Sequence, residues 1–229
     1  VEDKLSLLTG AHPRVAVLNG QDPRLAELEL PDSRIAWFNR EDGWHLRDAW
    51  IFRGDDRVLD ASGLPLPGRH NRLNLCAALA AIEAFGVDAA PLAAHAAGFV
   101  PLPHRLQRLG ERDGITWVND SISTTPLAAG AALEVYRDAR TVILLGGHER
   151  GVDWSVFAGA MRRHPPHGAV TMGASGPRIH ALLEPVAADT GMHLAAAPDL
   201  AGAVEAARAL LGDGGGVILR SPGARSFGP

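Results

Sequence analysis

Apolar and polar positions alternate in two different rhythms along the chain. In the second half, short apolar runs such as "TVILLGG", "AVTMG" and "GGVILRSP" are separated by longer stretches of helical periodicity. Apolar strands that alternate with helices are typical of an α/β fold with a doubly wound parallel sheet. Residues 105–119 are predicted to form an antiparallel hairpin ahead of this sheet, with the turn near Asp113 and Gly114.

The first half of the chain predicts a mixed arrangement of strands and helices. "RVAVLN" is a short apolar run typical of a buried strand, and "DPRLAEL" carries the signals of a helix start. Further strands are predicted in "SRIAWFN", "GWHLRDAWIFRG" and "DRVLD", which are rich in aromatic and β-branched residues. Helices are predicted over residues 71–85 and 90–98. The rhythm changes near Val100, so we place a domain boundary there, between residues 1–100 and 101–229.

The composition narrows the class of protein. Of the 229 residues, 46% are hydrophobic and 21% are charged, which is typical of a globular protein and not of a disordered one. The net charge of −4 indicates no basic surface for nucleic acid or anionic lipid, so neither is an expected partner. No segment resembles a membrane span, and the single cysteine, Cys76, suits a core position in a reducing compartment. We therefore expect a cytoplasmic protein. Because the chain begins at Val1 with what resembles the end of a helix, we also expect it to be part of a longer one.

A polar cluster lies in the middle of the chain, in "TWVNDSISTTP". Hydroxyls and Asp before an apolar periodic run are ordinary helix caps, and Pro suits the first turn of a helix. Capping accounts for one or two residues of this cluster but not for six, which are Asn119, Asp120, Ser121, Ser123, Thr124 and Thr125. We therefore predict that this turn also contributes to a binding site.

Polar residues follow two other core strands in the same way. A glycine pair ends "TVILLGG" and leads to Arg150, while the last strand ends in "RSPGARS", which carries Arg225 and Ser226. Ligands of doubly wound sheets bind at the carboxyl edge of the strands. Together with the cluster around Asp120, these residues predict a polar, partly cationic crevice for a small anion.

Three further residues are candidates for binding. Asn71 and Asn74 lie three residues apart at a predicted helix start and so share one face. Asn71 can cap that helix, whereas Asn74 is a poor choice inside a helix, and its amide can instead pair with a heterocycle. Arg105 follows the domain boundary, where a guanidinium can hold phosphate or carboxylate with two bonds, although most arginines are simply surface residues. The nearby stretch "GLPLPGRH" is not a phosphate-binding P-loop, because Arg69 replaces its lysine.

Five motifs resemble, in their order and separations, those of the glutamate-adding Mur ligases: "GRHNRLN", "LPHR", "WVNDS", "LLGG" and "SPGARSF". Such enzymes have a domain for the UDP substrate, a central ATPase domain and a C-terminal Rossmann-like domain. The resemblance covers nearly the whole chain. It implies that residues 1–100 are the later part of the mixed α/β ATPase domain, and that residues 101–229 are the Rossmann-like glutamate-binding domain.

The resemblance implies an ATP-dependent ligase of peptidoglycan synthesis. ATP would activate the carboxyl of UDP-N-acetylmuramoyl-L-alanine as an acyl phosphate, which the amine of glutamate then attacks. The P-loop, the Mg²⁺ ligands and the carbamylated lysine of the family would lie upstream of Val1. We therefore expect no catalytic or metal-binding residue in this chain and no activity from the chain alone. We also expect the enzyme to be a monomer.

The resemblance further assigns roles to particular residues. Those that would face ATP are Asn71 and Asn74 at the adenine, Arg105 at the ribose-phosphate region and Asp120 at the ribose hydroxyls. Those that would hold the incoming glutamate are Thr124, Arg150 and Ser226.

The chain departs from the usual glutamate-adding pattern at two positions. That pattern has lysine where this chain has Ile122, and lysine again where it has Arg150. The form "NDSISTTP" is similar to a variant branch that adds L-glutamate, with a separate epimerase inverting that residue later. A D-glutamate-adding Mur ligase and a non-catalytic nucleotide- or amino-acid-binding module stay open. A folate ligase that adds polyglutamate is disfavoured by the "GRHN" and "NDS" motifs. A P-loop encoded upstream of Val1 would indicate a ligase.

Overall fold

The computed structural model describes residues 2–65, 67–148 and 151–225. The chain divides into two compact units, Val1–Val100 and Pro101–Pro229. Each unit has a hydrophobic core of its own. Among the helices that the structure describes, none is both long enough and apolar enough to cross a bilayer.

The first unit combines one sheet with helices. Its strands and α-helices are, in chain order, α1 (Glu2–Ala11), β1 (Val15–Asn19), α2 (Pro23–Ala26), β2 (Arg34–Phe38), β3 (Trp44–Arg47), β4 (Trp50–Arg53), β5 (Asp56–Asp60) and α3 (Arg69–Ala84). The strands lie in chain order, with β1, β2 and β3 parallel, and with β4 antiparallel to both β3 and β5. Helix α3 packs on β1, β2 and β3. This is the mixed α/β arrangement that the sequence predicts.

Local chemistry explains where the helices of the first unit begin. Asp22 accepts a hydrogen bond from the amide of Arg24, and Pro23 takes the first helical position, so α2 begins where the sequence indicates. The segment predicted as a helix over 90–98 forms a 3₁₀ helix over Ala93–Gly98. It is six residues long, and so short a segment has little helical preference of its own, so its surroundings set its geometry.

Cys76 lies in the core of the first unit. Its side chain is buried together with Trp44, Ile51 and Leu79. Burial raises the pKa of the thiol to about 12, since a thiolate is poorly solvated among apolar neighbours. Cys76 is therefore a small core residue, as predicted, and not a nucleophile at neutral pH.

The second unit is a doubly wound sheet preceded by a hairpin. Its strands and α-helices are β6 (Gln107–Arg112), β7 (Ile115–Asn119), α4 (Pro126–Val135), β8 (Thr141–Leu145), α5 (Ser155–Arg163), β9 (Gly168–Met172), α6 (Gly176–Thr190), β10 (His193–Ala197), α7 (Leu200–Leu211) and β11 (Gly216–Arg220). The sheet order is β10-β9-β8-β11-β7-β6, with β6 antiparallel and the other strands parallel. The predicted hairpin and the predicted parallel sheet are both confirmed.

Helices cover both faces of the second sheet. Successive side chains of a strand point to opposite faces, and along β8 Ile143 and Leu145 pack with α4, α5 and α6, whereas Val142 and Leu144 pack with α7. With both faces covered, the carboxyl edge of the parallel strands and its loops are the place where a ligand can enter.

Candidate binding site at the carboxyl edge of the second sheet

Asp120 follows β7 directly and is almost fully buried, with 3% of its surface exposed. One carboxylate oxygen accepts a hydrogen bond from the amide of Leu106 at 3.0 Å, and the other accepts bonds from the hydroxyls of Ser123 at 2.5 Å and Ser221 at 2.7 Å. These three donors come from three different segments of the chain. The carboxylate therefore ties together loops that meet at the carboxyl edge.

The rest of the polar cluster after β7 divides into separate local roles. The side-chain oxygen of Asn119 accepts from the amide of Ser121 at 3.1 Å, which closes the turn. Thr125 caps α4 by accepting from the amide of Ala128 at 3.3 Å. Thr124 is exposed. Turn formation and capping thus involve one residue of this cluster each, and Thr124 is placed where a ligand can reach it.

Arg105 lies in a turn with unusual backbone geometry. Its neighbours His104 and Leu106 both have positive φ, at 65° and 46°, a region that non-glycine residues seldom adopt. The carbonyl of His104 accepts from the amide of Ile122 at 3.2 Å. Arg105 itself is exposed, so the turn holds its backbone while its guanidinium faces solvent.

The glycine pair after β8 allows three loops to approach closely. The amide of Gly147 donates to the hydroxyl of Ser175 at 3.0 Å, and the amide of His148 donates to the carbonyl of Arg225 at 2.7 Å. A β-carbon at position 147 would lie only 2.5 Å from that carbonyl oxygen. Glycine is therefore required here, because any side chain would push the loop after β11 away from the loop after β8.

A narrow cavity lies between these loops. It is lined by Thr124, His148, Val152, Trp154, Ser175, Arg178, Gly223 and Ala224. Residues from the loops after β7, β8 and β11, where the sequence places polar residues, line it together with residues that follow β9. The cavity is small, about 10 Å³, but its lining offers hydrogen-bonding groups and a cation, the chemistry that an anionic ligand requires.

Arg178 is a candidate residue that the sequence reading missed. It lies in the first turn of α6, and its guanidinium donates to the carbonyl of Val152 at 3.0 Å. The sequence does contain an indication of it, because Arg178 comes shortly after β9, and the carboxyl end of β9 lies at the same edge of the sheet. The position of an arginine in a helix turn does not by itself distinguish this role from an ordinary surface one.

The loop that Arg178 contacts is also held by Asp153, the residue after Val152. Its carboxylate accepts from both the amide and the hydroxyl of Ser155, at 2.8 and 2.9 Å, where α5 begins. These hydrogen bonds hold the pKa of Asp153 below its usual value, because they favour the charged form. The loop after β8 is thus tied both to α5 and to α6.

Asn71 and Asn74 differ in their surroundings. The residue at the N-cap of α3 is Gly68, so the interpretation of Asn71 as the helix cap is wrong. Asn71 is buried, and its amide nitrogen donates to the carbonyl of Pro67 at 2.7 Å, closing the turn before the helix. Asn74 is exposed one turn later. Of the two amides, that of Asn74 is accessible to a ligand.

Two predicted glutamate-binding residues, Arg150 and Ser226, lie outside the described residues. Within the described ranges, no three His, Cys, Asp or Glu side chains gather as the ligands of a metal ion do. The best-placed carboxylate of the crevice, that of Asp120, is already bonded to an amide and two hydroxyls. These residues therefore do not by themselves fit a magnesium site.

Known proteins resemble this chain over its whole length. The chain is 57% identical over 228 residues to a UDP-N-acetylmuramoyl-L-alanine–L-glutamate ligase of Xanthomonas campestris pv. campestris (strain 8004), covering 100% of this chain and 49% of that protein. A protein of the same name from Xylella fastidiosa (strain 9a5c) is 57% identical over 230 residues, with coverage of 100% and 49%. The chain thus spans about half the length of these curated relatives.

Solved structures show the same fold at low identity. MurF from Acinetobacter baumannii matches with a TM-score of 0.66 at 18% identity, over 92% of this chain and 49% of that one. The folylpolyglutamate synthase of Mycobacterium tuberculosis, complexed with ADP, matches with a TM-score of 0.65 at 22% identity, over 92% and 52%. At such identities the likeness concerns the fold alone.

The family follows from the segment that carries the crevice. The family model "Mur ligase, glutamate ligase domain" matches residues 104–223, which run from the strained turn at Arg105 to the loop after β11 and make up more than half of the chain. On this match, in agreement with the five motifs of the sequence, the chain belongs to the Mur ligase family.

Proposed function

We propose that this chain is part of an ATP-dependent ligase that joins L-glutamate to UDP-N-acetylmuramoyl-L-alanine in peptidoglycan synthesis. The observation that carries the proposal is the 57% identity, over all of this chain, to L-glutamate ligases of that name. The crevice at the carboxyl edge of the second sheet supports it, because it offers hydroxyls and a cation to a small anion.

The proposal keeps the four residues that are predicted to contact ATP. The exposed amide of Asn74 pairs with the adenine, beside Asn71, whose own amide is bonded to Pro67. Arg105 takes the ribose-phosphate region. Asp120 stays a predicted ribose residue, although its burial leaves little of the carboxylate accessible. Bound ATP supplies the phosphoryl group that activates the acceptor carboxyl, and Mg²⁺ ligands come from residues other than those that the structure describes.

Glutamate lies in the crevice, held by Thr124, Arg150 and Ser226. Its two carboxylates need donors of fixed direction if the enzyme is to distinguish its enantiomers. A guanidinium bonds a carboxylate with two parallel N–H groups, whereas an ammonium acts more as a point charge. Ile122, exposed in the loop after β7, brings no charge. In this proposal the orientation of the bound glutamate therefore depends on Arg150.

Two further features of the whole protein are proposals of the same kind. We infer that it acts as a monomer in the cytoplasm, and that an epimerase inverts the L-glutamate residue of the product later in the pathway.

The test is a steady-state assay of the full-length protein. ADP release is measured with UDP-N-acetylmuramoyl-L-alanine and either L- or D-glutamate. We expect release that depends on glutamate and prefers the L-enantiomer. Preference for D-glutamate would replace the proposal by the D-glutamate-adding alternative, and release that does not depend on glutamate would reject the ligase.

Arg150→Lys tests the directional role of the guanidinium. We expect kcat/KM for L-glutamate to fall by a factor that corresponds to about 1–3 kcal/mol, the scale of a lost charge-assisted hydrogen bond, with little change in the KM for ATP. Arg163→Lys, in the exposed last turn of α5, is the matched control. Equal kinetics in the two variants would remove Arg150 from the site and leave the ligase assignment intact.

A further inference from the structure

The buried carboxylate of Asp120 connects the three segments that carry predicted site residues of the second unit. Leu106, which donates its amide, follows Arg105, and Ser123, which donates its hydroxyl, precedes Thr124. Ser221 donates its hydroxyl from the loop after β11, 101 residues further along the chain. One side chain thus bonds to the nucleotide segment, the glutamate segment and the final loop at once.

These bonds are the means by which a charge can stay buried. An ionised carboxylate removed from water is costly unless hydrogen bonds replace its hydration. In the described part of the chain, Asp120 takes part in no ion pair with Arg, Lys or His, and its partners are an amide and two hydroxyls. Loss of any one donor would leave part of the charge unsatisfied, so the three segments are held firmly in place around it.

The turn that Asp120 holds is strained. His104 and Leu106 have φ of 65° and 46°, and such non-glycine residues persist only where the surroundings impose their conformation. Leu106 is anchored on one side by its buried side chain and on the other by the bond from its amide to Asp120. Without that bond, one of the two constraints that keep the backbone around Arg105 in this conformation is lost.

We propose that Asp120 is a positioning residue, which aligns the nucleotide-binding and glutamate-binding segments with the loop after β11. The inference rests on the proposed ligase function and adds a second role to the predicted contact with ribose. With that contact alone, Asp120 would affect only the KM for ATP. As a positioning residue, it affects the KM for glutamate as well.

Ser221 separates the two possibilities. Its side chain is fully buried, with 0% exposure, and its hydroxyl is bonded to Asp120. A substrate cannot reach it. Ser221→Ala therefore weakens the alignment without removing any group that could contact ribose or glutamate.

The test compares variants of the full-length ligase in the same assay. For Ser221→Ala we expect the KM for L-glutamate to rise about tenfold, the effect of losing one hydrogen bond to a charged group. For Asp120→Ala, which removes all three bonds, we expect a rise at least as large. For Asp120→Asn we expect a KM for L-glutamate close to that of the wild type. The asparagine carbonyl still accepts from Leu106, and its NH₂ can donate to the two hydroxyls, which accept as well as donate.

Thr141→Val is the matched control for lost stability. Thr141 is also buried, with 1% exposure, and its hydroxyl bonds to the carbonyls of Tyr136 and Ala139 at the opposite edge of the same sheet. It should lower the melting temperature and leave both KM values unchanged. Hydrogen exchange gives a second measurement, since the amide of Leu106 should exchange faster in Ser221→Ala but not in Thr141→Val.

Three results would overturn the inference. These are a Ser221→Ala enzyme with wild-type KM for glutamate, an Asp120→Ala enzyme changed only in its KM for ATP, and an Asp120→Asn enzyme as impaired as Asp120→Ala. If Asp120→Ala does not fold, Ser221→Ala and Asp120→Asn still decide. A wild-type enzyme without glutamate-dependent ADP release would instead reject the proposed function.

Discussion

Gly147 lies where the loops after β8 and β11 meet, and no side chain fits there. Its missing β-carbon would lie 2.5 Å from the carbonyl oxygen of Arg225, which is backbone and cannot rotate away. We predict that Gly147→Ala lowers the free energy of unfolding by about 1–3 kcal/mol, as overpacking of an interior does. Urea denaturation measures this, and a raised KM for glutamate in the full-length enzyme should accompany it.

Gly159 is the matched control for that substitution. It lies inside α5, where the nearest atom to an added β-carbon is a terminal nitrogen of Arg163 at 3.8 Å. Because alanine favours the helix, Gly159→Ala should raise the free energy of unfolding by about 0.5–1 kcal/mol. If both variants are destabilised alike, the close approach at Gly147 is not what makes its glycine necessary.

At the scale of single residues, the sequence predicts which residues carry polar chemistry better than it predicts which residues they contact. The cluster around Asp120 stands out locally, because hydroxyls and a carboxylate gather before a helix. Its decisive partner, Ser221, is 101 residues away, and nothing in the pattern near either residue indicates the other. Arg178 was missed for a related reason, since its contact with Val152 depends on how two loops fold.

At the scale of elements, α7 offers a test of helix capping. Asp199 accepts a hydrogen bond from the amide of Gly202 at 2.9 Å, satisfying one donor that the first turn leaves open. Asp199→Ala is expected to lower the free energy of unfolding by about 1 kcal/mol. Glu205→Ala, at an exposed position of the same helix, removes the same charge without removing a cap. Equal melting curves for the two variants would show that the cap adds nothing measurable.

The elements themselves follow from the sequence where the periodicity is strong. The strand from Thr141 to Leu145 is a continuous apolar run, buried on both faces, and is found where predicted. The helix predicted over 71–85 is found over Arg69–Ala84. The position of β11 between β8 and β7 could not be predicted, because periodicity describes each strand alone and the order of strands depends on contacts between distant segments.

For the whole molecule, we predict that the 229-residue chain alone forms no ADP from ATP, whichever glutamate enantiomer is added. Phosphoryl transfer is mostly electrostatic work, performed by a phosphate-binding loop with its lysine and by metal ions. Lys4 is the only lysine of the sequence, and no glycine-rich loop precedes it. A luminescent ADP assay on the purified chain checks this, with the full-length protein as positive control. Glutamate-dependent ADP release from the chain alone would contradict it.

The strand order also governs when the crevice can exist during synthesis. Strand β11 lies between β8 and β7, yet it leaves the ribosome after all the other strands that the structure describes. Until it arrives, β7 and β8 have no common neighbour and each presents an open edge, the kind of edge on which nascent chains aggregate. A message cut short before Gly216 would therefore leave β10-β9-β8 and β7-β6 without the strand that joins them, and the binding site would lack the loop after β11. Ligand binding at this crevice therefore requires that translation proceeds past β11.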